Sequence, residues 1–382
     1  MRVLLTSVPA VGHFFPLVPL AHAFRAAGHE VLIALAEHPE WATNAGLPVV
    51  DPAPGYEAVA LAMGTLEGDA EFRGEWFKQI GPDRDISPRA KMFAGFNGPL
   101  VAGTLELAEQ WKPHLVVHEQ TTTVGAMVAA KLGIPAVQRN IGPVVTNRTH
   151  QLTAALLADL NEKYDIPPVP ATAEIVELLP PSMLTTPAEG IFMGGAPYNG
   201  GGLLGHSLPR RGERPQVVLS MGGGFSARFF GLGAMHPLLA SAAEVDADFV
   251  LALGSADISS LGTLPPNVRP SGWIPFGELF RTCTAVVHHG GGSTALAAID
   301  AGIPQLVALD PMDVGSAPLA ASVQERGIGL VAAPDDVTPA VFERLIGDET
   351  LRIATGEVRT EIAGLPSPAA VAIRLADLAA RV

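Results

Sequence analysis

Residues 2–36, RVLLTSVPAVGHFFPLVPLAHAFRAAGHEVLIALA, decide the fold of this chain. The apolar run 2–8 predicts a buried strand, 9–15 a loop, 16–28 a helix and 30–36 a second strand. A strand, a helix and a strand in this order form one βαβ unit, in which the two strands lie parallel in the same sheet.

The same alternation continues along the chain. Further strands are predicted at 47–51, 115–119 and 135–139, with a helix at 122–133 between the last two. After a glycine-rich break the pattern resumes, and strands are predicted at 216–221, 248–254, 268–273, 285–289 and 305–309. The sequence therefore predicts an α/β protein with two Rossmann-like halves that face a cleft.

Two stretches interrupt this alternation. Residues 51–97 carry aromatic side chains among glycines, prolines and charges, so they form either a small satellite core or an apolar acceptor pocket. Residues 194–215 are rich in glycine and proline, which is typical of an interdomain linker. We assign residues 1–205 to an N-terminal domain, 206–365 to a C-terminal domain, and 366–382 to a final helix that can dock on either half, including back on the N-terminal domain.

The composition excludes several classes of protein. The chain has 24 basic and 38 acidic side chains, a net charge of −14, which argues against a partner made of nucleic acid or anionic lipid. With 48% apolar and 16% charged residues it is not disordered. Cys283 is the only cysteine, so the chain has no internal disulfide and fits a reducing cytoplasm. No uninterrupted apolar stretch is long enough to predict a membrane span.

Ligands bind beyond the carboxyl ends of strands in open parallel sheets, so the loops there are the candidate sites. In the loop after the first strand, His13 follows Gly12. Glu119 is the last residue of the strand 115–119, directly before the second candidate loop. A carboxylate beside an imidazole fixes its tautomer and stabilises its protonated form, which makes a general base. The alternatives are a structural histidine and a helix N-terminal carboxylate, and alternation leaves open whether His118 or Glu119 faces the cleft.

The third loop has the most specific pattern. Residues 285–294, AVVHHGGGST, run from a strand through three glycines into a helix. Glycines allow close backbone approach, and Ser293, Thr294 and the helix N-terminus present donors to a diphosphate. The alternative is a turn with Ser293 as an ordinary N-cap. A similar turn, Ser220 to Gly224, follows the first strand of this half and is expected to face the same phosphates.

Gly12-His13, Trp273-Ile274-Pro275 and the segment 288–294 resemble the family 1 glycosyltransferases, which are inverting enzymes with the GT-B fold. Within that family the chain is similar to actinomycete natural-product glycosyltransferases, particularly the calicheamicin type. These enzymes attach deoxysugars from dTDP donors to polyketide or enediyne aglycones. The resemblance implies a dTDP-sugar donor, an apolar small-molecule acceptor and the same two-domain fold.

The resemblance also implies roles for individual residues. His13 matches the general base, and Glu119 falls where an Asp usually pairs with it. Trp273 matches the residue that stacks on the nucleobase, and the backbone of Ile274 the group that reads the base edge. The implied nucleotide-sugar site comprises Ser220, Gly222, Trp273, Ile274, His289, Gly291, Gly292, Ser293, Thr294, Asp313 and Val314. The expected acceptor site comprises Phe14, Phe72, Trp76, Phe77 and Phe93.

One departure from the family pattern concerns the donor sugar. Asp313 matches an acid that binds sugar hydroxyls, but Val314 stands where a Gln commonly follows. An apolar side chain cannot pair with a hydroxyl, and a buried unpaired hydroxyl costs about 1–3 kcal/mol. The sequence therefore favours a deoxygenated or otherwise altered sugar over glucose.

Neither a cofactor nor a metal ion is expected, because the diphosphate loop supplies donors for the leaving group. Asp246-Ala247-Asp248 spells the metal-binding DxD pattern of another glycosyltransferase fold, but it precedes a strand and is interpreted as a solvated turn. Three alternatives to this function are a UDP-glucose-dependent transferase, a nucleotide-sugar epimerase and a silent homologue that only binds a partner. The oligomeric state is open, and a homodimer is compatible with the sequence.

Overall fold

The computed structural model of the protein describes residues 1–76, 87–143, 149–204, 212–222, 232–254, 256–310, 313 and 315–381. The chain divides into two compact units. The first contains residues 1–178, 186–195 and those from 365 onward, and the second contains 179–185 and 196–364. Residues 196–204, which composition assigned to the N-terminal domain, therefore lie in the second unit.

Within the described residues, the first unit contains a seven-stranded sheet whose neighbouring strands are all parallel. The strands are β1 (Arg2–Thr6), β2 (Glu30–Ala34), β3 (Val49–Val50), β4 (Leu115–Glu119), β5 (Ala136–Arg139), β6 (Glu174–Glu177) and β7 (Ile191–Phe192). Their order is β3-β2-β1-β4-β5-β6-β7. Because β1 pairs with β4, with Thr6 opposite His118, the loops after these two strands start side by side.

Helices cover this sheet. They are α1 (Val11–Phe14), α2 (Val18–Ala26), α3 (Glu40–Asn44), α4 (Ala58–Glu67), α5 (Ala70–Trp76), α6 (Ser87–Asn97), α7 (Val101–Trp111), α8 (Thr123–Leu132), α9 (Thr149–Leu156) and α10 (Ala158–Lys163). The C-terminal helix Pro368–Ala379 packs against α2 and so belongs to this unit. The predicted loop 9–15 is wrong, since the backbone N–H groups of His13 and Phe14 both donate to the carbonyl of Ala10 and begin α1.

The second unit has a six-stranded sheet among the residues described, again with parallel neighbours, in the order β10-β9-β8-β11-β12-β13. Its strands are β8 (Gln216–Ser220), β9 (Asp248–Ala252), β10 (Val268–Ser271), β11 (Ala285–His288), β12 (Gln305–Ala308) and β13 (Gly329–Ala332). Its helices are α11 (Met235–Ala242), α12 (Phe276–Leu279), α13 (Gly292–Ala301), α14 (Ala317–Arg326), α15 (Pro339–Gly347) and α16 (Glu349–Ala363). The predicted α/β class, with two Rossmann-like halves, is confirmed.

Aliphatic side chains from the strands build the core of this second unit, with Phe249 and Phe342 in edge-to-face contact at 5.1 Å between ring centroids. The DxD segment lies before β9, where the guanidinium of Arg214 binds the carboxylates of Asp246 and Asp248 at 2.8 and 3.0 Å. Of the helices in the described ranges, none alone has the length and apolar composition to cross a membrane. The bent pair formed by α16 and the C-terminal helix meets those two criteria only when counted together.

Candidate functional site

The loops after β1 and β4 bring His13 and Glu119 together, as the sequence predicts. The Nδ1 atom of His13 lies 3.3 Å from Oε2 of Glu119 and 3.2 Å from the hydroxyl of Thr121. The Glu119 side chain is fully buried, whereas that of His13 is 28% exposed. The carboxylate of Glu119 therefore lies in the protein interior, and one edge of the His13 imidazole is accessible to a ligand.

Hydrogen bonds around Glu119 define the tautomer of this imidazole. The hydroxyl of Thr121 donates to Oε1 of Glu119 at 2.7 Å, and the hydroxyl of Thr122 donates to the same oxygen. Since a hydroxyl has one proton, Thr121 accepts from His13, so the hydrogen of His13 is assigned to Nδ1. The lone pair is then on Nε2, the position at which a base takes a proton.

Glu119 is held as a carboxylate. Burial alone would raise its pKa, but the charge of His13 and hydrogen bonds from His13, Thr122 and Thr121 hold the pKa at about 2. The backbone N–H of Thr121 also donates to Oε2 at 2.7 Å. A buried carboxylate with this many donors stays charged at neutral pH and stabilises a proton on the imidazole.

Two neighbouring side chains have structural roles. His118 is fully buried with its ring edge-on to His150, and burial lowers its pKa to about 4. Of the adjacent residues His118 and Glu119, Glu119 is therefore the one that contacts His13. Asn97, which sequence reasoning missed, is also fully buried: its amide donates to the carbonyl of Thr121 at 2.9 Å and accepts from the N–H of Val124 at 2.9 Å. An isolated Asn in an aromatic stretch gives no sequence pattern for this role.

The predicted acceptor residues differ in their exposure. Phe14 is fully buried, and Phe72 is 3% exposed. These two side chains belong to the packed interior, so their assignment to an acceptor wall is not supported. Trp76, at 6.2 Å from the Phe72 ring, and Phe93 in α6 are partly exposed. Phe77 lies outside the described residues.

In the second unit, the loop after β11 enters α13 with a backbone open to a ligand. The N-cap of α13 is Gly291, and no side chain caps it, so Ser293 is not the ordinary N-cap of the alternative interpretation. Within the described ranges, the buried Oγ of Ser293 and Nδ1 of His289 have no hydrogen-bond partner. Donors at a helix N-terminus favour an anion, and Thr294 lies one residue further on.

The adjacent histidines have different environments. His288 accepts from the N–H of Gly290 at 3.1 Å through Nδ1 and bonds Gln305 through Nε2 at 2.9 Å, and burial lowers its pKa to about 3. Burial also lowers the pKa of His289, an effect that Asp313 opposes. His288 is therefore a structural residue and His289 is the one available to a ligand.

The turn after β8 lies against the same loop. Ser220 pairs with His288 across the sheet, and Gly222 has a φ of +78°. A Cβ at Gly222 would lie 2.9 Å from Cε1 of His289, so a side chain at this position would require the imidazole to move. Gly223 and Gly224 lie outside the described residues. The described part of both glycine turns thus meets at His289.

The remaining predicted donor residues lie in the second unit. Trp273 follows β10 and is 50% exposed, and the partly buried Ile274 packs against the core. The carboxylate of Asp313 accepts hydrogen bonds from the N–H groups of Gly315 and Ser316, both at 3.1 Å, and from the Ser316 hydroxyl at 2.7 Å. Val314 is outside the described residues.

Solved structures that are similar to this chain include glycosyltransferases. The structure of the glycosyltransferase SnogD from Streptomyces nogalater is similar over 99% of both chains, with a TM-score of 0.82 and 33% identity. That of the Streptomyces sp. SF2575 glycosyltransferase SsfS6, complexed with thymidine diphosphate, covers 99% of both chains with a TM-score of 0.78 and 26% identity. Two parallel-sheet Rossmann-like units of this kind define a GT-B glycosyltransferase.

Sequence comparison defines the family. The profile of the Erythromycin biosynthesis protein CIII-like N-terminal domain matches residues 22–222, and that of the C-terminal domain matches residues 236–378. The chain is 37% identical to the elloramycin glycosyltransferase ElmGT of Streptomyces olivaceus, over 98% of this chain and 97% of that protein. The protein belongs to the EryCIII-like family of natural-product glycosyltransferases and is an enzyme of that class.

Proposed function

We propose that the protein is an inverting glycosyltransferase that moves a deoxysugar from a dTDP-sugar to a hydroxyl of a polyketide-type aglycone, enediynes included. The observation that carries the catalytic part is the buried carboxylate of Glu119 beside Nδ1 of His13, 3.3 Å away. A TDP-bound relative and the elloramycin transferase ElmGT support the donor and the natural-product acceptor. The calicheamicin-type resemblance supports the enediyne extension, which stays a prediction.

In the proposed reaction, Nε2 of His13 accepts the proton of the acceptor hydroxyl as its oxygen attacks the anomeric carbon. The bond to the diphosphate breaks on the opposite face, which inverts the configuration. Glu119 stabilises the imidazolium through Nδ1–H, because it remains charged. The proton rests on His13 until solvent removes it.

The leaving group is stabilised on the donor side. His289, Ser293, Thr294 and the N-terminus of α13 offset the negative charge of the departing TDP, so the proposed mechanism requires no metal ion. Trp273 stacks on the thymine, and Asp313 binds a sugar hydroxyl with the one lone pair of Oδ2 that its three donors leave free. Of the predicted acceptor residues that the structure describes, Trp76 and Phe93 have surface available to an apolar acceptor.

The test combines binding and turnover. TDP, UDP, ADP and NAD are titrated against the wild type and the double variant His289→Ala, Thr294→Ala, and selective TDP binding that the double variant loses is expected. His13→Ala is expected to keep TDP binding and to lose at least about 10²-fold in transfer rate, the lower value for general-base assistance. A fully active His13→Ala enzyme would refute the assignment of His13 as the general base. Absence of nucleotide binding by the wild type would favour a catalytically silent homologue that only binds a partner.

A further inference from the structure

The glycine-rich segment Gly200–Gly202, which composition indicates is a linker, lies along one edge of Trp273. The indole Nε1–H donates to the carbonyl of Gly201 at 3.0 Å. A Cβ at Gly200 would lie 2.7 Å from Cζ2 of the indole and 3.3 Å from both Cε2 and Nε1. A Cβ at Gly202 would lie 2.8 Å from Cδ of Pro275. The segment is therefore in close backbone contact with the proposed nucleobase platform.

This contact runs along the edge of the indole, in the plane of the ring. The three distances from the position of a Gly200 Cβ are consistent only with a carbon close to the ring plane, beside the edge that joins Nε1 and Cζ2. The hydrogen bond to Gly201 is directed in the same plane, because an indole N–H lies in the ring plane. Trp273 is 50% exposed, as expected for a ring held by its edge with a face available for stacking.

We propose that the backbone of Gly200–Gly202 is the rim of the nucleobase pocket and that Gly200 and Gly202 are positioning residues for Trp273. This inference rests on the proposed function, in which the thymine of TDP stacks on the indole. The rim fixes the rotation of the ring about its side-chain bonds, so the stacking plane is present before the nucleotide binds. Such preorganisation lowers the ordering cost of binding.

The three glycines differ in a way that the proposal explains. Gly200 has a φ of +84°, a region that other residues rarely adopt, and any side chain there meets the indole. A side chain at Gly202 meets Pro275. Gly201 has nothing within 4 Å of its Cβ position and no positive φ, and it contributes its carbonyl. Gly262, in the same unit, has a φ of +68° and nothing within 4 Å of its Cβ position, so Gly262→Ala is a matched control for Gly200→Ala.

The experiment measures the Kd for TDP by calorimetry, together with Tm and intrinsic fluorescence. Gly200→Ala is expected to weaken TDP binding about tenfold, equivalent to about 1.4 kcal/mol and to the loss of one aromatic stacking contact. It should also change the Trp273 fluorescence, identified as the emission absent from Trp273→Phe. Gly262→Ala, which has a similar positive φ and no contact with the indole, should bind TDP as the wild type does. Equal Kd values for the two glycine variants would overturn the proposal.

A double variant separates ring positioning from backbone strain. Phenylalanine lacks the Nε1 and Cζ2 edge, so Gly200→Ala should not weaken TDP binding further when Trp273→Phe is already present. An equal loss in both backgrounds would assign the effect to the strained φ and overturn the proposal. Trp273→Ala tests the underlying function separately: wild-type TDP affinity in that variant would refute nucleobase stacking itself. Weak binding by Trp273→Ala with normal binding by Gly200→Ala would refute only the rim.

Discussion

Replacing Glu119 by glutamine tests the proposed dyad most directly, because it keeps the shape of the side chain and removes its charge. The carboxylate accepts from the Thr121 and Thr122 hydroxyls on Oε1, and its Oε2 faces the Thr121 N–H and His13 Nδ1. A glutamine that keeps the two hydroxyl bonds points its NH₂ group at two other donors. One buried N–H is then unpaired, and we expect the free energy of unfolding to fall by about 1–3 kcal/mol.

The effect on transfer follows from the tautomer. The NH₂ group can pair with His13 only if the imidazole moves its hydrogen from Nδ1 to Nε2, and an Nε2–H cannot accept the acceptor's proton. We expect kcat to fall at least about 10²-fold, measured as TDP release from a dTDP-deoxysugar with a hydroxylated anthraquinone acceptor. Glu119→Asp keeps the charge on a shorter arm and should retain part of this rate.

Glu177→Gln is the matched control. Glu177 is a second buried carboxylate in the same sheet that accepts from the N–H of Glu189 at 2.7 Å and the amide of Asn140 at 2.7 Å. Glu177→Gln should lower the free energy of unfolding by an amount similar to that for Glu119→Gln, and it should leave kcat near the wild-type value. The assignment of His13 and Glu119 as a catalytic pair would be wrong if Glu119→Gln kept kcat within about threefold of the wild type, or if its loss in kcat were no larger than that of Glu177→Gln.

Further predictions concern the pH dependence of stability, the donor site and the effect of removing metal ions. The pKa of Glu119 is lowered from 4.5 to about 2 by folding, so its stabilisation is complete above pH 4.5 and disappears as pH falls through about 2. Urea unfolding should show the gap between wild type and Glu119→Gln narrowing in that range, and a gap independent of pH would contradict the assignment. Ser293→Ala should weaken TDP binding about fivefold to tenfold by calorimetry, since it removes one donor to the diphosphate. Gly222→Ala should weaken it more by displacing His289, and unchanged TDP affinity would exclude contact between this turn and the donor loop. Val314→Gln should shift the ratio of kcat/KM values towards dTDP-glucose, whereas an unchanged ratio would remove the argument for an altered sugar. Transfer in excess EDTA should be undiminished, and a loss restored by Mg²⁺ would require a metal-dependent mechanism.

Much of the fold was predictable because its strands are continuous apolar runs. The segments 2–8, 115–119 and 285–289 contain the observed β1, β4 and β11 within a few residues at each end. Three observed strands, β6, β7 and β13, were not predicted, and for the first two the reason lies in the sequence. β6 begins and ends with Glu174 and Glu177, and β7 has only two residues, so neither carries enough apolar pattern to be recognised.

The site was predictable in residue type and only partly in geometry. The glycines before Ser293 predict a turn directly before a helix, and the structure places them at the start of α13. Asp313 was expected to offer a free carboxylate to the sugar, but it already accepts three bonds from Gly315 and Ser316. Those bonds are local, since they come from residues two and three positions further on, as is common for Asp in a turn.

The sequence by itself determined the class of fold, the three loops that matter and the residue types they present, because strand length, helix period and glycine turns are set by neighbours in the chain. Tertiary structure alone decided which of two adjacent residues faces the site: Glu119 rather than His118, and His289 rather than His288. Alternation along a strand shows that such neighbours point to opposite sides, but only packing shows which side is buried. It also brought His13 to Thr121, 108 positions away, since a contact at that distance along the chain exists only when β1 and β4 pair.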